Sequence, residues 1–570
     1  MFIKLFSLQV FASAKYRKAS IDNSVRIVPI KAPRGEIIDR NNNIIVQNRP
    51  SYTIYLVPYE VPNIDEESAI LASMLQMDES YLKKIISAGW KGKFQPIRLK
   101  RDVDFKTISI LEEHSLDVPG VVFRVEPTRL YPENGFGSHV YGYVGEVSEN
   151  EIEANNKYSK GEIIGKKGLE RFYNYYLKGF DGISYLEVTA RGRVLGKYSE
   201  REDISPQKGA TLQLNIDWQM QKLAESILAA KGQGSIVVLN VNNGGVLALA
   251  SSPKFDANLF SGVVPTEKWA EIMADSTYPL LNRAIQGIYT PGSTFKPFTA
   301  LMALHFDKVD MEKEFDPCRG QKKFGNRIFK CWLERGHGKL ELHDAIVQSC
   351  NIYFYQLGLA CGMELWDQFM PLCRLGELTG IDIPGEKAGI CPTSAYFDKR
   401  YGVRGWTKYF MNNLAIGQGE ILVTPLQMAV LYAAISNEGI IYKPRILNKI
   451  ITYEGDTIIC KPEIVGKLPV NKENFQIIVD ALHGVASEQH GTARFVSLPG
   501  IPVAGKTGTA QNPHGNEHAW FVCFAPVENP EIVIAVIVEN AGHGSSEAAP
   551  LAKKILKYYF LGENIKQASL

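Results

Sequence analysis

Two strongly apolar hairpin patterns, far apart in the chain, constrain the fold of this sequence most. Residues 234–253 read GSIVVLNVNNGGVLALASSP, with a turn predicted at 242–245, and residues 519–540 read AWFVCFAPVENPEIVIAVIVEN. Helical segments fill much of the sequence between them, and residues 548–560 predict a terminal helix. Strands, a helical insertion, strands again and a packing helix predict one α/β domain with a central antiparallel sheet flanked by helices.

The sequence before this domain has a different pattern of predicted secondary structure. Residues 32–58 predict short strands around a turn at 41–43, residues 64–118 predict helix, and residues 126–147 are rich in Gly, Pro and Tyr. This pattern is typical of an extended α+β module. The polar stretch 198–210 predicts a linker, after which residues 211–232 predict a strand and a helix capped by Asp217.

Composition favours a folded protein of several domains and argues against some functions. The chain has 570 residues, too many for one core, and 45% of them are hydrophobic. Lysine plus arginine number 63 against 61 for aspartate plus glutamate, so the net charge is +2. That balance, without a basic stripe, gives no support for nucleic-acid binding. A Gly-rich phosphate loop is also absent from the sequence.

The start of the chain, MFIKLFSLQVFASAKYRK, is apolar and then turns basic. A membrane span needs about 20 apolar residues, and Lys4 interrupts this run. Residues 1–25 therefore fit the end of a membrane anchor, a signal-like segment or an amphipathic helix, and the residues alone do not separate these.

Three short motifs lie in order within the second domain. They are Ser293-x-x-Lys296, Ser349-x-Asn351 and Lys506-Thr507-Gly508. Each is weak alone, because a serine three residues before a lysine is common and usually marks a capped helix. In this order within one domain they form the signature of penicillin-recognising serine enzymes.

The residue types suit acyl transfer through a covalent serine intermediate. A serine hydroxyl is a poor nucleophile until a base takes its proton, and Lys296 can reach Ser293 from the same helix face. A lysine acts as a base only if its pKa falls, which burial or a second cation such as Lys506 would cause. We expect Ser349 and Asn351 to supply a proton relay and an amide clamp.

The same pattern predicts where substrate lies. Backbone N–H groups at the helix start beside Ser293, together with the N–H of Thr509, would form an oxyanion site. Thr507, Gly508 and Thr509 would lie on an edge strand, where Gly508 leaves room for a substrate backbone to pair with the strand.

Further segments carry a resemblance to a known family. They are RGEIIDRN, EPTRLYP, GLERFYNYYLKG (168–179), DIPGE (382–386), AIGQGEILVTPLQMA (415–429) and ENAGHGSSEAAP (539–550). With the three motifs, they resemble the class B penicillin-binding proteins, in particular the elongation-type peptidoglycan D,D-transpeptidases. The similarity runs from about residue 20 to residue 562.

The resemblance implies an organisation and partners. It implies an anchor remnant at 1–25, a pedestal or dimerisation domain at 26–200, a transpeptidase domain at 209–562 and a tail at 563–570. Family members carry one N-terminal transmembrane helix in the inner membrane, with the catalytic domain on its periplasmic side. This chain begins where that helix should end. The implied partners are peptidoglycan pentapeptide strands, β-lactams and a membrane glycosyltransferase of the shape, elongation, division and sporulation family.

Other functions share the three motifs. A D,D-carboxypeptidase or a serine β-lactamase would pass the acyl group to water, but neither normally carries a pedestal such as 26–200. A β-lactam-sensing receptor or a scaffold with a vestigial site is the non-enzymatic alternative. The intact residues Ser293, Lys296, Ser349, Asn351 and Lys506 favour an active transpeptidase.

A second constellation lies beside the Ser-x-Asn motif. Cys318, Cys331, His337 and Cys350 form the ligand set of a tetrahedral zinc site, although their spacing matches no standard finger. The alternative is a Cys318–Cys331 disulfide, with Cys350 as a small buried hydrophobe. We favour zinc, with Asp316 as a substitute ligand, because the RGHG loop presents His337 and Cys350 lies inside the Ser-x-Asn motif. Such a zinc would be structural, since acyl transfer itself needs no metal.

Several other polar residues receive structural interpretations. Arg34 and Arg40, beside Asp39, are expected to hold a hairpin together. Trp520 and Phe521 are expected in the strand core, and Gln418 and Thr424 are expected to be structural. His514, His518 and His543 receive no role.

Overall fold

Of the 570 residues, the computed structural model describes residues 24–562 apart from 91, 93–94, 155–157, 190–193, 263, 265 and 513–514. Nearly all of the expected anchor remnant (1–25) and the whole expected tail (563–570) lie outside the described residues. Within the described part, no helix is both long and apolar enough to cross a membrane.

The N-terminal part alternates short strands with short helices. Its strands are β1 (Val25–Ile30), β2 (Ile37–Ile38), β3 (Ile44–Leu56), β4 (Ile97–Val103), β5 (Val121–Leu130), β6 (Val144–Glu146), β7 (Ile163–Gly165), β8 (Gly182–Val188) and β9 (Val194–Lys197). Its helices are α1 (Ile64–Leu75), α2 (Glu79–Gly89), α3 (Phe105–Glu113), α4 (Ser138–Tyr141), α5 (Glu149–Ala154), α6 (Gly168–Phe172) and α7 (Asn174–Leu177).

The C-terminal part contains longer helices around a large sheet. Its strands are β10 (Thr211–Leu214), β11 (Gly234–Asn240), β12 (Val246–Ser252), β13 (Gln321–Phe324), β14 (Arg327–Lys330), β15 (Ile440–Tyr442), β16 (Leu447–Ile451), β17 (Thr457–Ile459), β18 (Ile464–Lys467), β19 (Ala504–Ala510), β20 (His518–Ala525) and β21 (Ile532–Val538). Its helices are α8 (Trp218–Ala229), α9 (Thr266–Ala274), α10 (Lys296–His305), α11 (Leu342–Val347), α12 (Asn351–Phe369), α13 (Ser394–Tyr401), α14 (Phe410–Ala415), α15 (Pro425–Ser436), α16 (Lys472–Ser487), α17 (Gly544–Glu547) and α18 (Ala549–Leu561).

The central sheet has the strand order β12-β11-β21-β20-β19 and is antiparallel throughout. Every residue of β21 is buried, because helices cover both faces: α8 and α18 pack together on one side, and α15 and α16 on the other. Both predicted hairpins and the terminal helix are therefore confirmed. The strand that carries Lys506 lies at the edge of this sheet.

The N-terminal part has a small core of its own, in which α1, α2 and α3 pack on β3 and β4. The side chains of Asn63, Asp78 and Asp104 cap these three helices. The expectation of helix throughout 64–118 is wrong at β4. There IRLKRDV alternates buried and partly exposed residues, which is the period of a strand.

A buried ion cluster joins three of the segments that carry the family resemblance. Glu170 accepts hydrogen bonds from Arg34 and Arg129, both at 2.6 Å. Burial raises the pKa of Glu170, but the two guanidinium charges outweigh it and hold the pKa below its ordinary value. The expectation that Arg34 holds the neighbouring hairpin is wrong, because its side chain bonds Glu170. The turn is held by Asp39, which accepts hydrogen bonds from the N–H groups of Asn41 and Asn43.

One sheet crosses from the N-terminal part into the C-terminal part. Strand β10 pairs antiparallel with β16 and parallel with β2, within the order β17-β16-β10-β2-β3-β4. Backbone hydrogen bonds therefore continue directly beyond the expected linker at 198–210.

A buried carboxylate forms a second contact between the two parts. Glu225 on α8 accepts the backbone N–H of Gly137 at 3.0 and 3.1 Å and an amide N–H of Gln221 at 2.7 Å. Burial raises the pKa of Glu225 to about 7, against the opposing effect of these hydrogen bonds and of Lys254. The Lys254 ammonium itself lies 3.2 Å from the ring centre of Phe136.

The substitution Glu225→Gln should change how stability depends on pH. The pKa of Glu225 is about 7 in the folded chain against an ordinary 4.5, so folding takes up a proton in this window and the natural chain loses stability as pH rises through it. The glutamine of the variant cannot ionise. The free energy of unfolding of the variant, relative to that of the natural chain, should therefore rise by up to about 3 kcal/mol as pH increases through this window.

Thermal or urea unfolding at pH 4.5 and pH 7.5 measures this difference, with Glu66→Gln, on the exposed face of α1, as the matched control. A stability difference that is the same at both pH values would contradict a carboxylate that ionises inside the fold.

Candidate active site

Ser293 lies on a single 3₁₀ turn, Gly292–Phe295, that leads directly into α10. Gly292 has φ +56°, and a Cβ there would lie 2.9 Å from the carbonyl oxygen of Thr509, so the turn needs glycine. Two hydrogen bonds from the surrounding core hold the turn. Tyr432 Oη donates to the Thr294 carbonyl at 2.7 Å, and Trp520 Nε1 donates to the Thr290 carbonyl at 3.1 Å.

The side chain of Lys296 is fully buried and connects the first motif to the second. Its Nζ lies 2.7 Å from the Ser349 carbonyl oxygen, 3.2 Å from Ser349 Oγ and 2.8 Å from Asn351 Oδ1. All three partners belong to the Ser-x-Asn motif. Since the carbonyl and amide oxygens can only accept, a neutral amine donates to both and keeps its lone pair for a hydroxyl. Lys296 is thereby oriented as a proton acceptor.

Burial decides the protonation of the two lysines. It lowers the pKa of Lys296 to about 8, while the thiols of Cys331, Cys350 and Cys318 act in the opposite direction. Lys506 is also fully buried, and burial followed by the charge of Lys296 lowers its pKa well below the ordinary value. The expected lowering of the Lys296 pKa is thus present, and its cause is burial.

Ser349 has an unusual backbone conformation. Its φ is +56°, in the left-handed region that costs a non-glycine residue about 1–2 kcal/mol. It connects α11 to α12, which begins at Asn351 immediately after Cys350. The Lys296 amine contacts both the carbonyl and the hydroxyl of Ser349, which stabilises this conformation and aims the hydroxyl into the site.

The third motif lies on the edge strand β19. Lys506 Nζ donates to the Thr507 carbonyl at 3.2 Å, and the hydroxyls of Thr507 and Thr492 are 2.7 Å apart. Gln418 Nε2 donates to the Thr509 carbonyl at 3.4 Å. This carbonyl therefore points away from β20. In an antiparallel strand the N–H and C=O of one residue point the same way, so the Thr509 N–H also faces the open edge. An oxyanion donor is available there.

Packing against the turn that carries Ser293 requires a glycine at position 508. A Cβ at this position would lie 2.9 Å from Thr294 Cγ2 and 3.1 Å from both the Pro291 carbonyl and Trp520 Cβ. The absent side chain therefore lets the turn Gly292–Phe295, called the nucleophile turn after the predicted nucleophile Ser293, pack against β19. The expected room for a substrate backbone beside Gly508 stays a prediction.

The four predicted metal ligands are brought together beside this site. The ligand atoms of Cys318, Cys331, His337 and Cys350 all lie within 4.8 Å of one another. His337 Nδ1 is 3.6 Å from Cys318 Sγ and 3.5 Å from Cys331 Sγ. Metal–sulfur and metal–nitrogen bonds of about 2.3 and 2.0 Å in a tetrahedron place nitrogen and sulfur about 3.5 Å apart. The group can therefore hold a metal ion.

The structure contains neither the Cys318–Cys331 disulfide nor Asp316 as a member of the Cys–His group. Cys318 and Cys331 are free thiols in this structure. A hydrogen bond between Cys331 and Cys350 lowers the pKa of Cys331 and raises that of Cys350, so these two thiols share a proton that a bound cation would displace. Asp316, the expected substitute ligand, forms an ion pair with Lys322 outside the group.

The site also contains residues whose roles the sequence analysis missed. Tyr432 supports the nucleophile turn from α15, and Trp520 supports it from β20, while Trp520 and Phe521 are core residues as expected. Gln418 contacts Thr509, whereas Thr424 caps α15 and is structural as expected. Of these roles, only that of Gln418 has a local sequence signal. A polar residue between two glycines, GQG at 417–419, is typical of a loop that lies close to the backbone of another segment.

The fold and the site together define a penicillin-recognising serine acyl-transferase with an N-terminal pedestal. Comparison with known proteins bears this out. The family described as penicillin binding protein transpeptidase domain matches residues 234–557, and the penicillin-binding protein dimerisation domain matches residues 29–214.

The chain belongs to the class B penicillin-binding proteins, and within them to the penicillin-binding protein 2 type. It is 33% identical to the peptidoglycan D,D-transpeptidase MrdA of Acinetobacter baumannii, over 97% of this chain and 84% of the relative. A structure of a complex between penicillin-binding protein 2 and MreC from Helicobacter pylori matches with a TM-score of 0.82 and 28% identity, over 94% of this chain and 99% of that one. The chain is a serine-type peptidoglycan D,D-transpeptidase of the elongation type.

A second similar structure concerns a larger assembly. It was described as showing structural coordination of polymerization and crosslinking by a peptidoglycan synthase complex. The match has a TM-score of 0.74 and 29% identity, over 99% of this chain and 96% of that chain.

The rate of acylation by penicillin should follow the ionisation of Lys296. Below its pKa of about 8 the lysine is protonated and cannot accept the serine proton, so the rate should fall about tenfold per pH unit below that value. Stopped-flow measurement of the second-order acylation rate constant between pH 6 and pH 9 gives the profile. Lys296→Arg, which keeps the charge, should abolish the acylation, and a rate independent of pH in the natural chain would rule out Lys296 as the base.

Proposed function

We propose that Ser293 is the nucleophile of the transpeptidase reaction and that Lys296 is its base. The observation that carries this proposal is the position of Lys296. The residue follows Ser293 by one helical turn, and its Nζ binds both Ser349 and Asn351. One buried amine therefore joins the nucleophile helix to the loop that carries the second motif.

The reaction proceeds in two steps. Ser293 Oγ attacks the carbonyl of the D-Ala-D-Ala amide while Lys296 accepts its proton, and the N–H groups near Ser293 and Thr509 stabilise the oxyanion. The C–N bond breaks as the leaving D-Ala amine takes a proton relayed through Ser349. An amine of a neighbouring stem then attacks the ester, which releases Ser293 and forms the cross-link. Asn351 would hold the stem amide, and Lys506 and Thr507 would bind its terminal carboxylate.

The N-terminal part is proposed to be a docking domain. We infer a pedestal at 26–200 that binds a membrane glycosyltransferase of the shape, elongation, division and sporulation family, and a catalytic domain at 209–562 on the periplasmic side of the inner membrane. The similar structures described as complexes with MreC and as a peptidoglycan synthase complex support such partners. They cover nearly the whole chain, pedestal included.

The Cys–His group is proposed to bind a structural zinc ion. Thiolate and imidazole ligands in a tetrahedral arrangement suit zinc, which supplies folding energy at such sites. Cys350 stands between Ser349 and Asn351, so a metal at this group would hold the Ser-x-Asn loop against the segment 318–337. None of the steps of the proposed acyl transfer at Ser293 involves this metal ion.

Penicillin should add one covalent equivalent to the chain, at Ser293. Intact-protein mass spectrometry and peptide mapping measure the adduct, and Ser293→Ala should remove it. Lys296→Ala should slow acylation by about a hundred- to ten-thousand-fold while the fold persists. Labelling of another residue would refute the assignment. Turnover of a pentapeptide with and without an amine acceptor separates transpeptidation from carboxypeptidase activity.

The purified chain should contain one zinc ion, with all eight cysteines reduced. Chelation should slow acylation of Ser293, because Ser349 and Asn351 lose their support, and added zinc should restore the rate. Elemental analysis and thiol counting measure the two states, and His337→Ala should reproduce the effect of chelation. A metal-free chain with six free thiols would instead indicate the Cys318–Cys331 disulfide.

A further inference from the structure

A large cavity lies beside the catalytic site and is not used by the reaction described above. Its volume is about 850 Å³, within the range of about 300–1,000 Å³ typical of ligand pockets. It lies between the β13–β14 hairpin and the helices α13 and α14. Six aromatic rings line it: Phe324, Phe329, Tyr396, Tyr401, Tyr409 and Phe410.

Polar contacts at the rim hold two of these rings in fixed positions. Tyr401 Oη donates to Glu420 Oε1 at 2.7 Å, and Arg400 Nη1 donates to Tyr396 Oη at 2.7 Å. Tyr401 also stacks nearly parallel on the buried ring of Phe397, with an interplanar angle of 19°. The residue is 39% exposed, and the Arg400 guanidinium carbon lies 5.5 Å from its ring centre. The cavity thus presents an oriented aromatic face beside charged and amide side chains.

A short segment connects this cavity to the nucleophile. The carbonyl of Gly417 accepts the N–H of Gly292, next to Ser293, at 2.8 Å. Gly419, two residues further on, and its neighbour Glu420 line the cavity. Two residues of extended chain span about 7 Å, so the cavity begins close to the nucleophile turn.

The length of the substrate places its glycan at this distance. Four stem residues separate the glycan strand from the scissile bond, and an extended chain of four residues spans at most about 14 Å. A donor bound at Ser293 must therefore have its sugars within that reach, and the cavity is within it.

We propose that this cavity is a saccharide subsite that binds an N-acetylated amino sugar of the glycan strand carrying the donor stem. The proposal rests on the proposed transpeptidase function. Flat apolar aromatic faces fit the C–H face of a pyranose ring, and the side chains of Glu420, Arg400 and Asn413 at the rim can bond its hydroxyl and acetamido groups. A purely apolar occupant would leave these rim groups unused.

The position of the β13–β14 hairpin shapes this subsite. A Cβ at its tip residue Gly325 would lie 2.6 Å from the Tyr409 ring, so the tip lies directly on that ring. At its other end the hairpin is held by the N–H of Cys331, which donates to the Gly320 carbonyl at 2.7 Å. The wall of the subsite is therefore continuous with the Cys–His group.

The experiment separates this subsite from the catalytic site by blocking the latter. The full chain is first acylated with penicillin, and the degree of acylation, which reports on the proposed function by itself, is measured on the same sample. Isothermal titration with triacetylchitotriose, a trimer of N-acetylglucosamine, then measures binding. We expect saturable binding to the acylated chain. Tyr401→Ala and Glu420→Gln should each weaken it at least tenfold without changing the acylation rate.

The matched control is Tyr453→Ala, which removes an exposed tyrosine from the turn between β16 and β17 and should bind as the natural chain does. Failure of the trisaccharide to bind the acylated natural chain would overturn the proposal, as would equal weakening by Tyr453→Ala. Binding of a stem pentapeptide in place of the trisaccharide would also overturn it, since the cavity would then be a peptide site. Complete acylation together with no saccharide binding would refute the subsite and leave the proposed function intact.

Discussion

The hydrogen bonds from Lys296 to Ser349 and Asn351 are the interaction on which the catalytic site depends. A lysine without surrounding water is costly to keep charged, so burial both lowers its pKa and requires that its N–H groups find acceptors. Those acceptors come from the Ser-x-Asn loop, which takes up a strained conformation at Ser349 to supply them. Lys296, Ser349 and Asn351, the proposed base, relay and clamp, are therefore one hydrogen-bonded unit. Removing any one of them leaves another buried polar group without its partner.

Much of this molecule could be predicted from local sequence patterns. The two apolar hairpins, the caps of α8 and the terminal helix follow from residues close together in the chain, and the three motifs and the Cys–His set follow from residue chemistry. Strand β4 was missed because its charged residues lie between helices and its alternation covers only seven residues. Short strands of this kind are settled by their pairing partners, which a single local pattern does not contain.

The remaining differences all involve contacts between residues distant in sequence. The partner of Arg34 is Glu170, and the reason for a glycine at 508 is the nucleophile turn near residue 294. No pattern within either segment indicates such a contact. The aromatic cavity has the same origin, because its rings come from segments around residues 324–329 and 396–410. The chemistry of the site was therefore open to sequence analysis, whereas its supports were not.

The four-residue strand β10 has a mechanical consequence. It bonds β2 on one side and β16 on the other, and α8 starts four residues after it. A force that tilts the N-terminal part therefore loads β10 in shear, along a row of backbone hydrogen bonds that must give way together. The same tilt pulls on the Gly137–Glu225 contact, about two turns along α8. A partner bound to the N-terminal part would therefore transmit force to the central sheet through β10 and α8.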